Sequence, residues 1–472
     1  MRQIVDQLER MMPTALTGRV VRTLGTTIAA AGFPAPLGAM AEIFRQSGGP
    51  LKAEVIGFRD STTLLYPLDE MTGVRHGDRI TMRRTASSVC VGNDLLGRVV
   101  NAFGQAIDGR PQPAISERVA LLRRPPSPVD RPTINTPLST GIRSIDGLLT
   151  CGRGQRLGIF SGSGVGKSVL LGMMARYTTA DVNVIGLVGE RGREVNEFLE
   201  NDLGEEGLRR SVVVVATSDE PALVRVRAAQ TATAIAEYFR DQGRDVLLMM
   251  DSLTRFALAQ REIGLAAGEP PTTRGFPPSV FAMLPRLLER SGRSPLGSIT
   301  GLYSVLVEAD DPNEPVADSV RGLLDGHIWL SRKLASRAHY PAVDVLESIS
   351  RLMPAVAAPG QVDGANVVRE LLATYRDHED LISIGAYRQG SNPTVDLAIQ
   401  MMDEINDFLR QRIEESSTLE TAKEALTTLI QHCAQRNQAM QSAPAAPTDV
   451  GFGQDGADTV ATEIGQGTEN PT

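Results

Sequence analysis

The sequence contains few of the residues that mark disulfide-linked, metal-binding or membrane-spanning proteins. Its 472 residues include three cysteines, five histidines and one tryptophan. The cysteines are scattered and odd in number, and the histidines show no ligand spacing, so neither a disulfide framework nor a zinc site is expected. No apolar run reaches membrane-spanning length, and the first residues lack the apolar core of a signal peptide. We therefore expect a cytoplasmic protein.

Basic charge is missing from the last part of the chain. The net charge is −8, no lysine or arginine follows Arg436, and all later charges are acidic. This stretch is also poor in large apolar residues, so burial cannot offset the entropy lost on ordering. We predict a disordered acidic tail over residues 441–472.

Length and changes in pattern divide the rest of the chain into domains. A chain of 472 residues is too long for a single core. Short β-rich runs separated by turns predict a small barrel or sandwich over residues 14–95. Continuous apolar runs that alternate with helical segments predict a mostly parallel sheet, covered on both faces, over residues 96–362. Helical segments are expected at 1–13 and, as a C-terminal bundle, at 363–440.

The strongest chemical signal is LGIFSGSGVGKS at residues 157–168, where a strand-like run meets a glycine-rich loop and then a helix. Backbone N–H groups of such a loop surround phosphate oxygens, Lys167 can reach the β- and γ-phosphates, and the Ser168 hydroxyl can ligate Mg²⁺. Ser161 occupies the first position, which is usually glycine, and we expect Gly162 to absorb the bend. The predicted nucleotide-binding residues of this stretch are Gly162, Ser163, Gly164, Val165, Gly166, Lys167, Ser168 and Val169.

Two carboxylates follow apolar runs of the same α/β region. Asp251 closes DVLLMMD, and a carboxylate at the end of a core strand beside a phosphate loop can anchor Mg²⁺ through its waters. Glu190 follows VNVIGLVG, where a carboxylate can orient the water that attacks a γ-phosphate. A turn aspartate is the ordinary alternative for the first. A surface ion-pair cluster is the ordinary alternative for the second, and composition alone favours it.

Six motifs in order resemble the ATPases of type III protein export, and among them the bacterial flagellar export ATPase. They are SGSGVGKS, GERGREV, DSLTRFA, GEPPTTRGFPPSVF, DGHIWLSRKLA and HYPAVDVLESISR. These ATPases are relatives of the catalytic subunit of the rotary ATP synthases. The resemblance spans about residues 15–430 and implies an α/β fold, with a RecA-like P-loop domain between a small β-barrel and a C-terminal helical bundle. The implied cofactors are ATP and Mg²⁺.

The resemblance also implies roles for individual residues. Glu190 takes the position of the carboxylate that activates water, where non-catalytic subunits of the rotary enzymes carry Gln. Arg191 and Arg255 match basic residues near the γ-phosphate. Tyr340 matches an aromatic residue that stacks on adenine, and Arg351 matches an arginine finger that enters the neighbouring subunit's site. Taken without the family, Tyr340 is expected in a core and Arg351 on the surface.

An arginine finger that acts on a neighbour implies a ring, here a homohexamer with sites between subunits. The implied partners are a coiled-coil central-stalk protein in the pore, near residues 264–279, and a stator-like regulatory protein at the N-terminus. The export gate and chaperone–substrate complexes complete the set. Contact with the cytoplasmic face of the inner membrane runs through these partners only. The implied function is ATP hydrolysis that engages and unloads chaperone–substrate complexes for export.

Three alternatives stay open. A virulence-type ATPase of type III secretion, in an injectisome, shares these motifs. A ring motor on RNA or DNA needs a basic, aromatic-rich surface in the small N-terminal domain. No Lys/Arg stripe occurs in residues 14–120, so no nucleic-acid partner is expected; the aromatic residues there are Phe33, Phe44, Phe58, Tyr66 and Phe103. A non-catalytic ring subunit is disfavoured by Glu190.

Overall fold

The computed structural model describes residues 16–307 and 314–442. The predicted helical segment at 1–13 lies outside the described residues, as does the predicted tail from residue 443 onwards. Among the described residues no helix is long and apolar enough to span a lipid bilayer.

A closed antiparallel barrel forms the N-terminal part of the described chain. Its strands are β1 (Thr17–Leu24), β2 (Thr27–Ala31), β3 (Met40–Ile43), β4 (Leu51–Arg59), β5 (Thr62–Pro67) and β6 (Arg79–Arg84). They pair in the order β1-β2-β5-β4-β3-β6, and β6 returns to β1. In β4 the side chains of Leu51, Ala53 and Val55 are buried and Lys52 is exposed, because successive strand residues face opposite sides. The barrel was one of the two forms that the sequence left open.

A nine-stranded sheet forms the centre of the chain. Its strands are β8 (Arg98–Asn101), β12 (Arg156–Ser161), β13 (Val182–Glu190), β14 (Ser211–Thr217), β15 (Asp245–Asp251), β16 (Gly292–Arg293), β17 (Ser298–Leu306), β18 (Gly326–Leu330) and β19 (Val343–Ser350). The order is β19-β18-β12-β17-β15-β13-β14-β8, with β16 beside β17. Only β16 and β19 run antiparallel to the neighbour they pair with. The carboxyl ends of the parallel strands meet at one edge, where ligands of such sheets bind.

Two short strand pairs and the helices complete the architecture. β7 (Ser88–Cys90) pairs with β9 (Arg118–Ala120), and β10 (Pro137–Leu138) pairs with β11 (Cys151–Gly152). The helices before the C-terminal region are α1 (Arg143–Leu148), α2 (Lys167–Tyr177), α3 (Gly192–Glu197), α4 (Gly204–Arg209), α5 (Ala222–Asp241), α6 (Leu253–Ala267), α7 (Pro278–Leu288), α8 (Pro315–Leu323), α9 (Arg332–Ser336) and α10 (Met353–Val356). A π-helical turn at Phe198–Leu203 joins α3 to α4.

The sheet separates two hydrophobic cores. Val212, Val214 and Leu248 pack with buried residues of α5, α6 and α7 on one face. Val213 and Leu247, their neighbours along the same strands, pack with α1 and α2 on the other. Strands whose two faces are both buried need the continuous apolar runs seen in this sequence. The predicted α/β class is confirmed by this arrangement.

Three long helices end the described chain, α11 (Pro359–Ser383), α12 (Pro393–Leu409) and α13 (Leu419–Ser442). Their buried residues, among them Val368, Met401 and Leu426, belong to the same core as α1 and α2. The C-terminal helices therefore close one face of the sheet and do not form a separate core. Because α11 begins at Pro359, it crosses the predicted limit between residues 362 and 363. The proposed domain limits stay a prediction.

Candidate active site

The predicted phosphate loop joins β12 to α2 at the carboxyl edge of the sheet. β12 ends at Ser161 and α2 begins at Lys167. Gly164 and Gly166 have φ angles of +77° and +88°, in the left-handed region that favours glycine. The loop therefore turns sharply onto the N-terminus of an eleven-residue helix, where backbone N–H groups and the helix dipole attract an anion. Ser163, Gly164 and Ser168 are exposed, whereas Gly162 and Val165 are buried.

The structure brings the predicted lysine and the predicted magnesium carboxylate together. Lys167 Nζ lies 2.5 Å from Asp251 Oδ1, and Asp251 is 4% exposed. The Ser304 hydroxyl of β17 donates to the same oxygen at 2.8 Å. The buried Asp251 carboxylate therefore has both a cation and a hydroxyl donor as partners. Sequence reasoning placed Ser304 in a strand but assigned it no role, because its partner lies on a neighbouring strand.

The same residues fit a magnesium ion bound with a nucleotide. Among the described residues no group of three His, Cys, Asp or Glu side chains is arranged to hold a metal. Mg²⁺ in nucleotide sites keeps several waters and takes phosphate oxygens, so it needs only one or two protein ligands. The exposed Ser168 hydroxyl and the buried Asp251 carboxylate meet that need.

Glu190 ends β13, beside the strand that ends in Asp251. It is 9% exposed, and Arg255 Nη2 of α6 donates to its Oε2 at 3.3 Å. Arg255 Nε lies 3.1 Å from Glu190 Oε1, which is buried. Ser252 caps α6 by accepting a hydrogen bond from the backbone N–H of Arg255 at 3.3 Å. This bond holds the backbone from which the Arg255 side chain extends. Both oxygens of the Glu190 carboxylate therefore lie against the Arg255 guanidinium.

The surroundings of Glu190 bring the pKa of its carboxyl group close to neutral pH. Burial, and then the charge of Asp251, raise the pKa of Glu190 to about 7, against the opposing effect of Lys167 and Arg255. A hydrogen bond with Glu190 lowers the pKa of Glu194. A general base works best with a pKa near the working pH. Glu194 was missed by sequence reasoning, although it stands in the same GERGREV motif.

Arg191 is not part of this cluster. Its side chain is 71% exposed and lies 3.5 Å from Glu194 Oε1. Of the predicted catalytic residues, the structure brings Lys167, Glu190 and Arg255 together around Asp251, and leaves Arg191 at the surface beside them.

Tyr340 lies on the other side of the phosphate loop. Its ring comes within 3.4 Å of the position that a Cβ on Gly166 would occupy, and the residue is 45% exposed, not in a core. Its carbonyl accepts a bond from the Gln411 N–H at 3.0 Å, and the Gln411 side chain donates to Gly141 O at 2.8 Å. A cleft of about 900 Å³ opens here, lined by Gly164, Gly166, Val169, Met173, Tyr340, Pro341, Gln411, Arg412 and Ile413. An aromatic ring beside the phosphate loop can stack on a nucleobase.

Arg351 lies far from its own phosphate loop. It is exposed and follows β19, the edge strand, whose last residue Ser350 pairs with Gly326 at the start of β18. β18 is parallel to β12, so Arg351 lies where β12 begins and the phosphate loop lies where β12 ends. The length of β12 separates them by roughly 16 Å at about 3.3 Å a residue. Arg351 cannot serve the site of its own chain in this arrangement.

The fold and the phosphate loop define a P-loop nucleotide-binding protein. Residues 141–350 match the family model of the ATP synthase alpha/beta family, nucleotide-binding domain, and residues 357–428 match the T3SS EscN ATPase C-terminal domain. The chain belongs to this family, in its branch of flagellum-specific and type III secretion ATPases. It is an ATP-hydrolysing enzyme of type III protein export, as the motif resemblance predicted.

The similarity extends over nearly the whole length of the relatives. A flagellum-specific ATP synthase of Bacillus subtilis (strain 168) is 53% identical over 428 residues, which cover 90% of this chain and 98% of the relative. A type 3 secretion system ATPase of Xanthomonas euvesicatoria is 51% identical over 427 residues, 89% and 97% of the two chains. The assembled ATPase EscN of the enteropathogenic E. coli type III secretion system superimposes with a TM-score of 0.82 at 45% identity, covering 88% of this chain and 100% of EscN. A second structure holds EscN in complex with its central stalk EscO, with a TM-score of 0.81 at 45% identity and the same coverage.

Proposed function

We propose that this chain powers flagellar protein export by hydrolysing ATP at the subunit interfaces of a homohexameric ring. One observation supports this most. Glu190, Lys167 and Asp251 meet at the carboxyl ends of the parallel strands, while Arg351 lies exposed at the other end of the same strands. The first group forms a phosphate-binding and water-activating half-site. The second can only complete a half-site on another copy of the chain.

The chemistry follows from the groups around Glu190. The phosphate loop and Lys167 hold the phosphates, and Tyr340 stacks on the adenine. Glu190 takes a proton from the attacking water, and Arg255 holds its carboxylate in place. Ser168, and Asp251 through waters, would hold Mg²⁺, which would neutralise charge on the phosphates when bound. Arg351 of a neighbouring subunit supplies the remaining positive charge as the γ-phosphoryl group is transferred.

Two of the predicted basic residues take different parts in this proposal. Arg255 acts first on Glu190, to which it is bound, and its guanidinium also adds positive charge near the γ-phosphate. Arg191 must leave Glu194 to come near a phosphate, and its proposed role rests on the family resemblance alone.

The partners proposed for the ring follow the family. A coiled-coil central stalk occupies the pore and meets residues 264–279. The complex of the relative EscN with its central stalk EscO supports a stalk partner. A stator-like regulator binds the N-terminus, and the export gate and chaperone–substrate complexes bind the assembled ring. These partners hold the enzyme at the cytoplasmic face of the inner membrane.

The second candidate function is the same activity in an injectisome. It is supported by the 51% identity to the Xanthomonas enzyme and by the match of residues 357–428 to the EscN C-terminal domain. Deletion of the gene in its own host distinguishes the flagellar function from the injectisome function. Loss of motility with normal effector secretion supports the flagellar function, and the opposite outcome supports the injectisome.

The activity itself is tested by Glu190→Gln, which keeps the shape of the side chain and removes the base. We expect nucleotide affinity within about twofold of wild type and turnover lowered by about 10²–10⁴-fold, the usual contribution of a general base. Binding is measured with a fluorescent ATP analogue and turnover by phosphate release. Wild-type turnover in this variant would remove Glu190 from the mechanism.

A further inference from the structure

Glu190 is placed by a β-bulge at Gly189. Val188 pairs with Ala216 and Glu190 pairs with Thr217, so Gly189 is the extra residue on β13. Its φ angle is +74°, a conformation that would be strained for a residue with a side chain. Bulges beside active sites re-aim the side chain that follows them. The direction of the Glu190 carboxylate therefore depends on whatever holds this bulge.

Two arginine side chains pack on the bulge. Arg255 Cδ and Cβ lie 3.1 and 3.2 Å from the position that a Cβ on Gly189 would occupy, and Arg225 Cδ lies 3.6 Å from it. Arg255 is already accounted for by its ion pair with Glu190. Arg225, from α5, has no part in the proposed chemistry, yet its side chain is only 17% exposed.

Arg225 is itself held by two other elements. Its Nε donates to Glu220 O at 3.1 Å, and its Nη2 donates to Glu262 Oε2 at 3.0 Å. Glu262 lies on α6, the helix that carries Arg255 near its start. Arg225 is therefore fixed at both ends of its guanidinium while its stem contacts the bulge.

The other oxygen of Glu262 reaches the barrel. Tyr66 of β5, which is 2% exposed, donates its hydroxyl to Glu262 Oε1 at 2.9 Å. Burial and this hydrogen bond raise the pKa of Tyr66 to about 12, so the hydroxyl remains a donor at neutral pH. Three side chains, Tyr66, Glu262 and Arg225, thus form a continuous chain from the barrel to Gly189.

We propose that Arg225 is a positioning residue for Glu190, and that Glu262 and Tyr66 make its placement depend on the barrel. The proposal rests on the proposed function, in which Glu190 activates water. If the chain of bonds is broken, the Arg225 stem is free to move, the bulge relaxes and the carboxylate turns away from the water. Catalysis is sensitive to such shifts, since a displacement of about 1 Å can cost about 10²-fold in rate. Nucleotide binding involves none of these three residues and stays intact.

A matched contact elsewhere on α5 provides the control. Arg227 also ties α5 to the barrel, with Nη1 at 3.4 Å from Glu54 Oε2 and 3.1 Å from Ser87 Oγ. It is not among the atoms nearest to Gly189. Glu54→Gln therefore weakens the attachment of the barrel without loosening the bulge. Tyr66→Phe also removes one polar contact between the barrel and a helix. That contact, with Glu262, belongs to the series of side chains that reaches the bulge at Gly189.

The experiment compares kcat, KM for ATP and the pH profile of kcat/KM in the full-length enzyme. For Arg225→Met we expect kcat to fall by about tenfold with KM within about twofold, and the pH midpoint of kcat/KM to shift. Tyr66→Phe and Glu262→Gln should lower kcat in the same way by about threefold, whereas Glu54→Gln should leave kcat unchanged. Arg225→Lys, which keeps a long stem against Gly189, should recover part of the loss.

Three outcomes decide the matter. Wild-type kcat in Arg225→Met overturns the proposal. An equal loss of kcat in Glu54→Gln and Tyr66→Phe also overturns it, because general loosening of the barrel then accounts for the effect. If Arg225→Met does not fold, the conservative Tyr66→Phe carries the same test, with wild-type kcat counting against the proposal. Turnover by Glu190→Gln is the separate sign that the proposed function itself has failed.

Discussion

Glu190 and Arg351 belong to the same proposed reaction and lie in opposite surroundings. Glu190 ends a central strand, is buried, and is held by Arg255. Arg351 follows the edge strand and is exposed at the far side of the sheet. The difference teaches which half of the reaction one chain can prepare alone. In the proposed reaction the base is pre-organised inside the subunit, and the cation for the transition state comes from another subunit.

The largest expected effect separates the two halves directly. Arg351→Ala should lower kcat by about 10³-fold or more, as loss of an arginine finger does, while leaving nucleotide affinity within about twofold. Mixed with Glu190→Gln subunits, it should regain part of the activity. Some interfaces of the mixed ring then combine an intact Glu190 with an intact Arg351. Phosphate release at increasing proportions of the second variant measures the recovery.

The mixing experiment has a clear opposite outcome. If the two variants together remain as inactive as each alone, although a mixed ring forms, Arg351 does not act across the interface. Retention of wild-type kcat by Arg351→Ala would remove it from the reaction altogether.

The next effect concerns the buried half and follows from the raised pKa of Glu190. With a pKa of about 7, the carboxyl is mostly protonated at pH 6 and mostly ionised at pH 8. Because the base acts in its ionised form, kcat/KM should rise by about tenfold over this interval and then level off. The profile is measured at saturating Mg²⁺ over pH 5.5–9, in steps of roughly half a unit. A midpoint near the ordinary pKa of glutamate would show that burial does not govern the base.

Tyr340 lies between the two extremes, since it is half-exposed beside the phosphate loop. Tyr340→Ala should raise KM for ATP by about fivefold, which corresponds to about 1 kcal/mol of lost stacking, with kcat little changed. Tyr340→Phe keeps the ring and serves as the control, with KM expected at the wild-type value. An equal rise of KM in both variants would assign the effect to the hydroxyl and not to stacking.

Ser161 gives the smallest effect, on stability. It is fully buried and its hydroxyl has no hydrogen-bond partner within residues 16–307 and 314–442. An unsatisfied buried hydroxyl costs about 1–3 kcal/mol, so Ser161→Ala should raise the melting temperature by about 2 °C or more. KM for ATP should not change, because the bend of the loop lies in the glycines that follow. A lower melting temperature would indicate that the hydroxyl has a partner in solution.

The sequence was sufficient where a functional residue directly follows its own structural signal. Asp251 and Glu190 each stand at the end of an apolar run, and Lys167 follows a glycine-rich loop after a third run. The sheet edge that gathers them could therefore be predicted from the chain. Ser304 and Gln411 could not be predicted in this way. Their roles depend on contacts with Asp251 and Tyr340, which are distant in sequence and meet only across neighbouring strands or helices.

The same reason explains the parts of the fold that were missed. β19 has no strand signal of its own, because charged residues such as Glu347 interrupt its apolar pattern at the exposed edge of the sheet. The bulge at Gly189 left no signal beyond a single glycine. Arg225 left none, since an arginine on an amphipathic helix is expected at the surface.

The ion pair between Lys167 and Asp251 has a consequence for which ligands the site admits. A phosphate chain that draws Lys167 to itself leaves Asp251 buried without its cation, and an uncompensated buried charge is costly. A nucleotide that binds together with a divalent cation gives Asp251 a new positive charge in place of Lys167. An anion that binds alone therefore loses affinity to the cost of leaving the Asp251 carboxylate unpaired. An anion that binds together with a cation does not.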